Sequence, residues 1–247
     1  MRIAIVSDVH ANLAALESVL RHAEAQGALD GLWCLGDMVG YGPQPCEVLE
    51  RLREAGVRAV VGNHDLAAVG LLPTDDFNPA AAAAVQWTAR QLQDPQRRYI
   101  ASLPQVLQQD EFTLVHGTLR WPVWEYLYSY EAARAHLRLQ RTAFGLVGHT
   151  HIPMLVVEDE GFPQGCELLY LHDGAVVELW HGRRLVINPG SVGQPRDGDP
   201  RASYAIYDSE RGTVTLHRVE YDIAATQRLI EAAGLPRWLS ERLAVGR

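Results

Sequence analysis

Residues 3–10 read IAIVSDVH, an apolar run that ends abruptly at Asp8 and His10. A short run of aliphatic and β-branched residues followed by polar ones is typical of a buried strand that opens into a loop. The residues that follow, Asn12–Gln26, have a helical pattern that ends at Gly27. Strand, polar cluster and helix together predict a parallel βα unit, and hence an α/β protein.

The same order of features recurs through the first half of the chain, whereas the second half has short alternating runs separated by turn signals such as Asp173-Gly174. We therefore expect parallel βα units first and a mostly antiparallel meander afterwards. The predicted helices are Asn12–Gln26, Cys46–Ala55, Pro79–Gln93, Tyr130–Gln140 and the tail from Ile223 onward. The predicted strands are Arg2–Val6, Leu32–Leu35, Ala59–Val61, Phe112–Val115, Leu146–Val147, Met154–Val157, Glu167–Leu171, Ala175–Leu179, Arg184–Ile187, Ser203–Tyr207 and Thr213–Val219.

Composition limits the class of protein. The chain has 247 residues, of which 47% are hydrophobic and 21% charged, enough to bury a core of ordinary size. We expect a single domain over residues 1–247, with residues 223–247 as a C-terminal helical extension. The formal net charge of −8, with 22 arginines and no lysine, argues against an extended nucleic-acid partner, because such a partner requires a basic face.

The cysteines and the lengths of the apolar runs indicate the cellular compartment of the protein. Cys34, Cys46 and Cys166 are odd in number and lack CxxC spacing, which argues against a disulfide framework and against a thiolate zinc site. No apolar run approaches the length of about 18 residues that a membrane span requires, and the first strand leads directly into polar residues. We therefore expect a cytoplasmic protein with no membrane partner.

Polar residues of metal-ligand type follow five of the apolar runs. Ligands of open α/β sheets bind outside the carboxyl ends of the strands, so these clusters are expected at one edge of the molecule. One such cluster alone is commonly an ordinary polar loop, but five clusters with the same residue types favour a shared metal site. Glycines before four of the clusters permit the sharp turns that such a site needs. The candidate donors are Asp8, His10, Asp37, Asn63, His116, His149 and His151.

The number and type of these donors indicate the chemistry. Seven oxygen and nitrogen donors exceed the needs of one tetrahedral ion and suit two ions that share a carboxylate. Since no thiolate is among them, Mn, Fe, Ni, Co and Zn are all compatible, and we favour Mn or Fe. Two divalent ions attract a phosphate group and acidify a bound water. The expected reaction is hydrolysis of a phosphate ester by in-line attack of a metal-activated hydroxide.

The ordered blocks around these donors resemble the five signature motifs of calcineurin-like metallophosphoesterases. The blocks are DVH at 8–10, GD at 36–37, GNHD at 62–65, LVHG at 114–117 and GHTH at 148–151. The later NPGSVGQPR, residues 188–196, is similar to a loop of the small bacterial and archaeal phosphodiesterase branch. The resemblance implies a four-layer α-β-β-α sandwich of two mixed sheets flanked by helices.

The resemblance also implies a role for individual residues. His64 would be the catalytic residue, which contacts the phosphate or protonates the leaving oxygen. Five histidines outside the blocks are expected to be surface or packing residues, namely His22, His136, His172, His181 and His217. The implied ligands are Asp8, His10 and His151 for one metal, Asn63, His116 and His149 for the other, and Asp37 as the bridge.

The chain departs from the protein phosphatases of this family at residues 40–42. Those enzymes read GDxxDRG, whereas this chain continues Gly36-Asp37 with Met38-Val39 and then Gly40-Tyr41-Gly42. The aspartate that supports the catalytic histidine and the arginine that grips phosphate are absent from this place, which argues against protein-phosphatase activity. Two residues are candidates for substrate binding, Arg196 as a replacement for that arginine and Tyr41 as a wall of the pocket. For Arg196, an ordinary polar turn is an equally good interpretation.

The most favoured function is that of a phosphodiesterase acting on a small or nucleotide-derived phosphate ester. The alternatives are a phosphomonoesterase, a nuclease of the same superfamily, and a non-catalytic metal-binding scaffold. The basic groove of a nuclease is not visible in the sequence, and a complete donor set argues against a scaffold. The aromatic segment 121–130 is compatible with a wall for a nucleobase, a lid over the metals or ordinary packing.

Overall fold

Strand β1, Arg2–Val6, lies near the centre of the first of two six-stranded sheets. The structure is a computed structural model that describes residues 1–28, 30–180 and 182–247. Strand β1 runs parallel to its neighbour β2 and antiparallel to β11 on its other side. In spatial order the sheet comprises β3 (Arg58–Ala59), β2 (Gly31–Cys34), β1, β11 (Ala202–Asp208), β12 (Thr213–Val219) and β9 (Val176–Glu178).

The second sheet contains a parallel core with antiparallel strands on both sides. Its central strands β5, β6 and β10 are parallel to one another, and β4 and β7 pair antiparallel with the outer members of that group. In spatial order the sheet comprises β4 (Val106–Gln109), β5 (Phe112–Val115), β6 (Phe144–Leu146), β10 (Leu185–Asn188), β7 (Met154–Glu158) and β8 (Cys166–Tyr170).

The helices begin where the sequence supplies a cap. The side chains of Asn12, Asn78, Ser129 and Asp222 each accept a hydrogen bond from a main-chain N–H of the first turn. No helix among the described residues combines the length and the apolar character needed to cross a bilayer. The helices are α1 (Leu13–Ala25), α2 (Pro45–Glu54), α3 (Asn63–Ala68), α4 (Pro79–Gln91), α5 (Asp94–Ser102), α6 (Tyr130–Leu139), α7 (Ile223–Ala232) and α8 (Arg237–Glu241), and a 3₁₀ helix follows at Arg242–Val245.

The two sheets pack face to face and the helices cover their outer faces. Along β1, Ile3 and Ile5 point into the core between the sheets, while Ala4 and Val6 point toward the helices. Both faces of this strand are therefore buried, which explains why its sequence is continuously apolar. On the opposite side of the molecule, α6 packs through Leu137 against the second sheet. The four-layer α-β-β-α sandwich that the sequence predicted is confirmed.

The strands of the second half pair mostly antiparallel, as predicted, but they do not form one meander. Strands β7, β8 and β10 belong to the second sheet, whereas β9, β11 and β12 complete the first. Strand β10 is buried along its whole length and runs parallel to β6. The alternation of apolar and polar residues along a strand indicates which face of the strand is buried. It does not indicate which of the two sheets the strand joins.

Three short elements were missed by the sequence patterns. Helix α3 has only six residues, helix α5 starts with the sequence DPQRRY, and strand β4 is a half-exposed edge strand that carries two glutamines. None of them has the apolar periodicity on which the predictions relied.

The C-terminal segment packs against the first sheet's loops near the end of β2. Leu239 of α8 and Leu243 of the 3₁₀ helix share an apolar cluster with Tyr41 and with Ala84 of α4. The main-chain N–H of Gly198 also donates to the Gly246 carbonyl at 2.9 Å. The helical extension is therefore attached to two loops rather than to the sheet alone.

The buried His136 on α6 gives a testable pH dependence of stability. Its Nδ1 accepts the Leu119 N–H at 3.2 Å, and burial lowers its pKa to about 4. Because the unfolded histidine binds a proton near pH 6.5, its contribution to the free energy of unfolding falls as the pH drops from about 6.5 to about 4. We expect this histidine to contribute a decrease of ~3 kcal/mol over that range.

The measurement is urea unfolding at pH 7, 5.5 and 4, compared with the His136→Asn variant. Asparagine keeps an acceptor for the Leu119 N–H but does not titrate, so its unfolding free energy should fall less steeply with pH. Parallel pH profiles of the two proteins would show that His136 does not carry this dependence.

Candidate metal centre

All seven donors predicted from the sequence are buried and lie together beyond the ends of strands. Asp8 and His10 follow β1, Asp37 follows β2, and His116 follows β5. Main-chain hydrogen bonds join these loops, among them Asp8 N to the Gly36 carbonyl at 3.0 Å. Two triads have ligand atoms close enough to hold a metal ion. These are Asp8, His10 and His151, and Asp37, His116 and His149.

The first triad brings two imidazoles to one carboxylate oxygen. His151 Nε2 lies 3.2 Å from Asp8 Oδ1, and His10 Nε2 lies 3.9 Å from the same oxygen. The two imidazole nitrogens are themselves 3.2 Å apart. Asp8 Oδ1 is fully buried and accepts no hydrogen bond, so it is a buried polar atom without a partner.

The second triad is arranged around His116 Nε2. This nitrogen lies 3.1 Å from His149 Nδ1, 3.2 Å from Asn63 Oδ1 and 3.3 Å from Asp37 Oδ2. Asp37 Oδ2 is also 3.7 Å from His10 Nε2 of the first triad. Asp37 therefore stands between the two groups, and Asn63 adds an amide oxygen to the second.

The outer ring nitrogen of each of these four histidines lies at hydrogen-bond distance from a main-chain carbonyl. A carbonyl only accepts, so the outer nitrogen carries a proton, and whenever the ring is neutral its inner nitrogen presents a lone pair to the centre. Lone pairs that face one another at about 3 Å repel unless a cation lies between them. The four contacts are His10 Nδ1 to Val39 at 3.1 Å, His116 Nδ1 to Leu35 at 2.8 Å, His151 Nδ1 to Gln194 at 2.6 Å and His149 Nε2 to Trp124 at 3.2 Å.

The electrostatics of the site favour positive charge at its centre. Burial raises the pKa of Asp8, but the neighbouring His151 imidazole lowers it, and the net pKa lies well below the ordinary range. The pKa of Asp37 is lowered in the same sense, because the effect of His116 and His64 exceeds that of burial. Burial would lower the pKa of His116, yet Asp37 raises it to about 9. The other ring of the second triad, His149, has its pKa lowered to about 3 by burial.

The main chain at the donors is held in the left-handed region. Residues other than glycine seldom adopt positive φ, and each such residue costs on the order of 1 kcal/mol that packing must offset. Gly62 contributes differently, because a Cβ there would overlap the Asp37 carboxylate. The donors with positive φ are Asp8 (52°), His10 (48°), Asp37 (52°), His149 (64°) and His151 (59°).

Asp65 is a positioning residue that the sequence patterns did not assign. Its Oδ1 accepts the Val39 N–H at 3.1 Å and its Oδ2 accepts the Gly62 N–H at 3.0 Å. It thus ties the loop after β2 to the loop after β3. Burial and the nearby Asp37 raise its pKa to about 7.

The segment 188–196 supports the centre from a third side. Ser191 Oγ donates to the Asp8 carbonyl at 2.8 Å, and Asn188 Nδ2 donates to the Gly148 carbonyl at 2.7 Å. Together with the Gln194 carbonyl that holds His151, these contacts fix both ends of the first triad. The sequence signal for this role was the NPGSVGQPR block itself.

His64 lies beside the centre, and no carboxylate forms a hydrogen bond with its ring. Its main-chain N–H donates to Asp37 Oδ1 at 2.9 Å, and its buried ring packs against Tyr41 and Phe77 at centroid distances of 4.3 and 4.9 Å. The ring Nδ1 has no hydrogen-bond partner, and burial lowers the pKa of His64 to about 4. Aromatic packing therefore orients the ring in place of a supporting aspartate.

The two predicted substrate-binding residues also face the centre. The guanidinium carbon of Arg196 lies 5.8 Å from the Tyr41 ring centroid, and the Tyr41 ring lies 4.6 Å from that of His10. In the aromatic segment, Tyr126 stacks on His149 at 3.9 Å and is 43% exposed, whereas Trp121 is 62% exposed and lies away from the donors' contacts.

The described histidines outside the motifs lie away from the centre, as expected, and His172 among them is exposed. His136 is buried in packing, and His22 Nδ1 lies 2.7 Å from the Tyr204 hydroxyl, with His217 stacked on that ring. The expectation for His181 falls outside the described residues.

A family profile for the calcineurin-like phosphoesterase superfamily domain matches residues 1–212. The chain belongs to this superfamily. Over its full length the chain resembles a crystal structure of a metallophosphoesterase from Sphaerobacter thermophilus, with 49% identity, a TM-score of 0.90, and coverage of 100% of this chain and 99% of that one.

Two curated relatives show different extents of similarity. An uncharacterized protein of Methanocaldococcus jannaschii is 37% identical over 250 residues, which cover 99% of this chain and 98% of that protein. A symmetrical bis(5'-nucleosyl)-tetraphosphatase of Proteus mirabilis is 28% identical over 144 residues, which cover 53% of this chain and 49% of that enzyme. The second match therefore spans about half of each protein.

The fit of His64 against Gly40 predicts a loss of activity when a methyl group is added there. Gly40 has φ +86°, and a Cβ would lie 2.5 Å from His64 Nδ1, so Gly40→Ala must displace the ring. We expect hydrolysis of a phosphate ester to fall about 100-fold with bound metal unchanged, because His64 is not among the triads.

The matched control is Gly70→Ala, which has a similar φ of +77° and no atom within 4 Å of the added Cβ. The Gly70→Ala variant also forces an alanine into a left-handed backbone conformation, but its added methyl group meets no neighbouring atom. Its turnover should therefore stay within about twofold of the parent. Turnover of Gly40→Ala at the level of Gly70→Ala would refute this role for the glycine.

Proposed function

We propose that the protein is a metal-dependent phosphodiesterase that hydrolyses a small, nucleotide-derived phosphate ester. The observation that carries the proposal is the pair of buried triads with Asp37 between them. A site of this kind is useful for reactions in which negative charge develops on oxygen atoms of a phosphate.

The donor set fits two divalent ions. Asp8 Oδ1 lacks a donor, and four imidazole lone pairs face inward, which is the arrangement that a cation completes. We propose Asp37 as the shared ligand and manganese or iron as the ions, since the donors are oxygen and imidazole nitrogen. When bound, such ions withdraw charge from the phosphate and acidify water. The proposed ligands are Asp8, His10 and His151 on one side, and Asn63, His116 and His149 on the other.

His64 is proposed to act on the phosphate directly. Its neutral ring carries one proton at neutral pH, because burial lowers its pKa to about 4. A ring held by Tyr41 and Phe77 beside Asp37 can donate a hydrogen bond from that N–H to a phosphate oxygen, whereas protonation of the leaving oxygen would require the ring to bind a second proton first. Arg196 and Tyr41 are proposed to bind the substrate next to the His10 and His64 rings.

Two observations support a nucleotide-derived diester. The exposed rings of Tyr126 and Tyr128 stack on each other at 5.3 Å, next to His149, and a stacked aromatic pair is a suitable surface for a base. The half-length similarity to symmetrical bis(5'-nucleosyl)-tetraphosphatases points to the same substrate class. We also propose that residues 1–247 act as a single domain in the cytoplasm, where the three free cysteines would remain reduced.

The test is hydrolysis of bis(p-nitrophenyl) phosphate by the full chain, with elemental analysis of the purified protein. We expect about two divalent ions per chain and activity that disappears on chelation and returns with manganese. The Asp37→Asn variant should lose more than about 100-fold in turnover, because it removes the bridging charge. The exposed Asp75→Asn serves as the control.

A comparison of p-nitrophenyl phosphate, linear dinucleotides and cyclic nucleotides then separates diester from monoester preference. Undiminished hydrolysis by metal-free protein, or by Asp37→Asn, would reject the proposed function. Faster cleavage of the monoester than of every diester would reject the phosphodiesterase assignment alone.

A further inference from the structure

Segment 117–126 starts beside one histidine of the second triad and returns to contact another. Its first residue follows His116 directly. Near its end, the Trp124 carbonyl accepts a hydrogen bond from His149 Nε2 at 3.2 Å, and the Tyr126 ring stacks on the His149 ring at 3.9 Å. The segment therefore connects the two imidazoles whose inner nitrogens are 3.1 Å apart.

The carbonyl of Trp124 is held within its own segment. The main-chain N–H of Leu35, whose carbonyl supports His116, donates to strand β1 at 2.9 Å. The main-chain N–H of Trp124 instead donates to the Trp121 carbonyl at 3.2 Å. The position of the Trp124 carbonyl therefore depends on the contacts that fix segment 117–126 internally.

Arg120 and Glu125 form an ion pair that closes segment 117–126, and we call this pair the clamp. The Nε of Arg120 lies 3.0 and 3.1 Å from the two carboxylate oxygens of Glu125, and one terminal nitrogen donates to the same carboxylate. The Thr118 hydroxyl donates to it as well. The Glu125 side chain is only 10% exposed, and the Arg120 guanidinium lowers the pKa of its carboxyl, so it is ionised at neutral pH. Such bidentate pairs are among the stronger and more directional contacts in proteins.

The main chain of the clamp also packs against the start of the segment. The Gly117 N–H donates to the Pro122 carbonyl at 2.6 Å. A Cβ at Gly117 would lie 3.0 Å from the carbonyl oxygens of Trp121 and Glu125. The residue after His116 is thus in close contact with the residue that precedes the ring stacked on His149.

We propose that the two residues of the clamp are positioning residues for the second metal ion, the one assigned to Asn63, His116 and His149. The clamp fixes the main chain of segment 117–126, which holds the His149 ring with its Nδ1 toward His116. Neither member of the clamp belongs to a triad, so both act through that main chain. The first triad is supported by segment 188–196 instead, and the clamp should therefore affect one ion only. The inference rests on the proposed function, because it makes His149 a metal ligand.

The experiment is a calorimetric titration of the metal-free, full-length protein with Mn²⁺. In Glu125→Ala, we expect the affinity for one ion to fall about tenfold, the lower end of the usual loss when a group that orients a metal ligand is removed, and the affinity for the other ion to change less than twofold. The weakened step should be the one that Asn63→Ala also weakens. If the parent binds both ions in a single step, Glu125→Ala should separate it into two.

The matched control is Glu131→Ala, which removes the other carboxylate that Arg120 contacts. Glu131 lies 3.0 Å from the guanidinium but is 73% exposed, and it is outside segment 117–126. Both Mn²⁺ affinities should stay within about twofold of the parent, because exposed ion pairs contribute little. The Glu125→Gln variant keeps an acceptor for Arg120 without the charge, so it should lose about threefold for the same ion only.

A measurement on the metal-free protein tests the positioning of His149 directly. Its ring N–H, bonded to the Trp124 carbonyl, should give a proton resonance that is protected from exchange with water and absent in His149→Gln. We expect exchange of this proton to be about tenfold faster in Glu125→Ala and unchanged in Glu131→Ala.

Four results would overturn the clamp. They are equal weakening of both ions in Glu125→Ala, unchanged affinities in Glu125→Ala and Glu125→Gln, the absence of a protected His149 N–H in the parent, and independent losses in a double-mutant cycle. In that cycle, Glu125→Ala combined with Arg120→Ala should lose no more than the larger single loss, because both variants break the same contact.

Failure of the clamp and failure of the proposed function give different results. Mn²⁺-dependent hydrolysis of bis(p-nitrophenyl) phosphate, with second-ion affinity and His149 exchange unchanged in Glu125→Ala, rejects the clamp and keeps the enzyme. A parent that binds no Mn²⁺, but whose His149 N–H loses protection in Glu125→Ala and not in Glu131→Ala, rejects the proposed function and keeps the positioning of the ring.

Discussion

The gathering of two carboxylates and four imidazoles into one buried space imposes the main constraint on this molecule. Asp8 and Asp37 are removed from water, and the inner nitrogens of their histidine neighbours are about 3 Å apart in pairs. Burying such groups is unfavourable unless charge and lone pairs are matched. The pKa of His116 rises beside Asp37, whereas burial lowers the pKa of His149, so positive charge is favoured next to a buried carboxylate. Metal ions are the proposed source of that charge.

The surrounding structure holds this arrangement in place. Five donors occupy left-handed main-chain positions, so the strain of the loops must be offset by what packs around them. The outer ring nitrogens are fixed by main-chain carbonyls, Asp65 joins the loops after β2 and β3, and segment 188–196 fixes Asp8 and His151. Most of these supports are main-chain groups, which depend on the fold and not on side-chain identity.

The C-terminal extension connects to the same centre through Tyr41. This residue packs into the apolar cluster with Leu239 and Leu243, and its ring contacts both His10 and His64. The extension is thus well placed to influence how the site recognises a substrate without supplying a donor to it. Gly40, at the position where the protein phosphatases of the family have aspartate, allows the His64 ring to lie close to the main chain.

The sequence alone determined the α/β class, the position of the donors after strands, and the family, because apolar runs and metal-ligand residue types are local features. It also predicted the four-layer sandwich, through the resemblance. It did not place β7–β12 in their sheets, since alternation does not specify a partner, and it missed α3 and β4, which are too short to show a period.

Only the tertiary structure decided which groups meet. Asp65 and His64 are adjacent in sequence, yet the Asp65 carboxylate binds two main-chain N–H groups while His64 packs on aromatic rings. Gly198 and Gly246 are far apart in the chain, and the hydrogen bond between their main chains depends on how the C-terminal helices dock. The direction of a side chain and the docking of distant segments both follow from the packing of the whole chain. Local sequence patterns do not specify that packing.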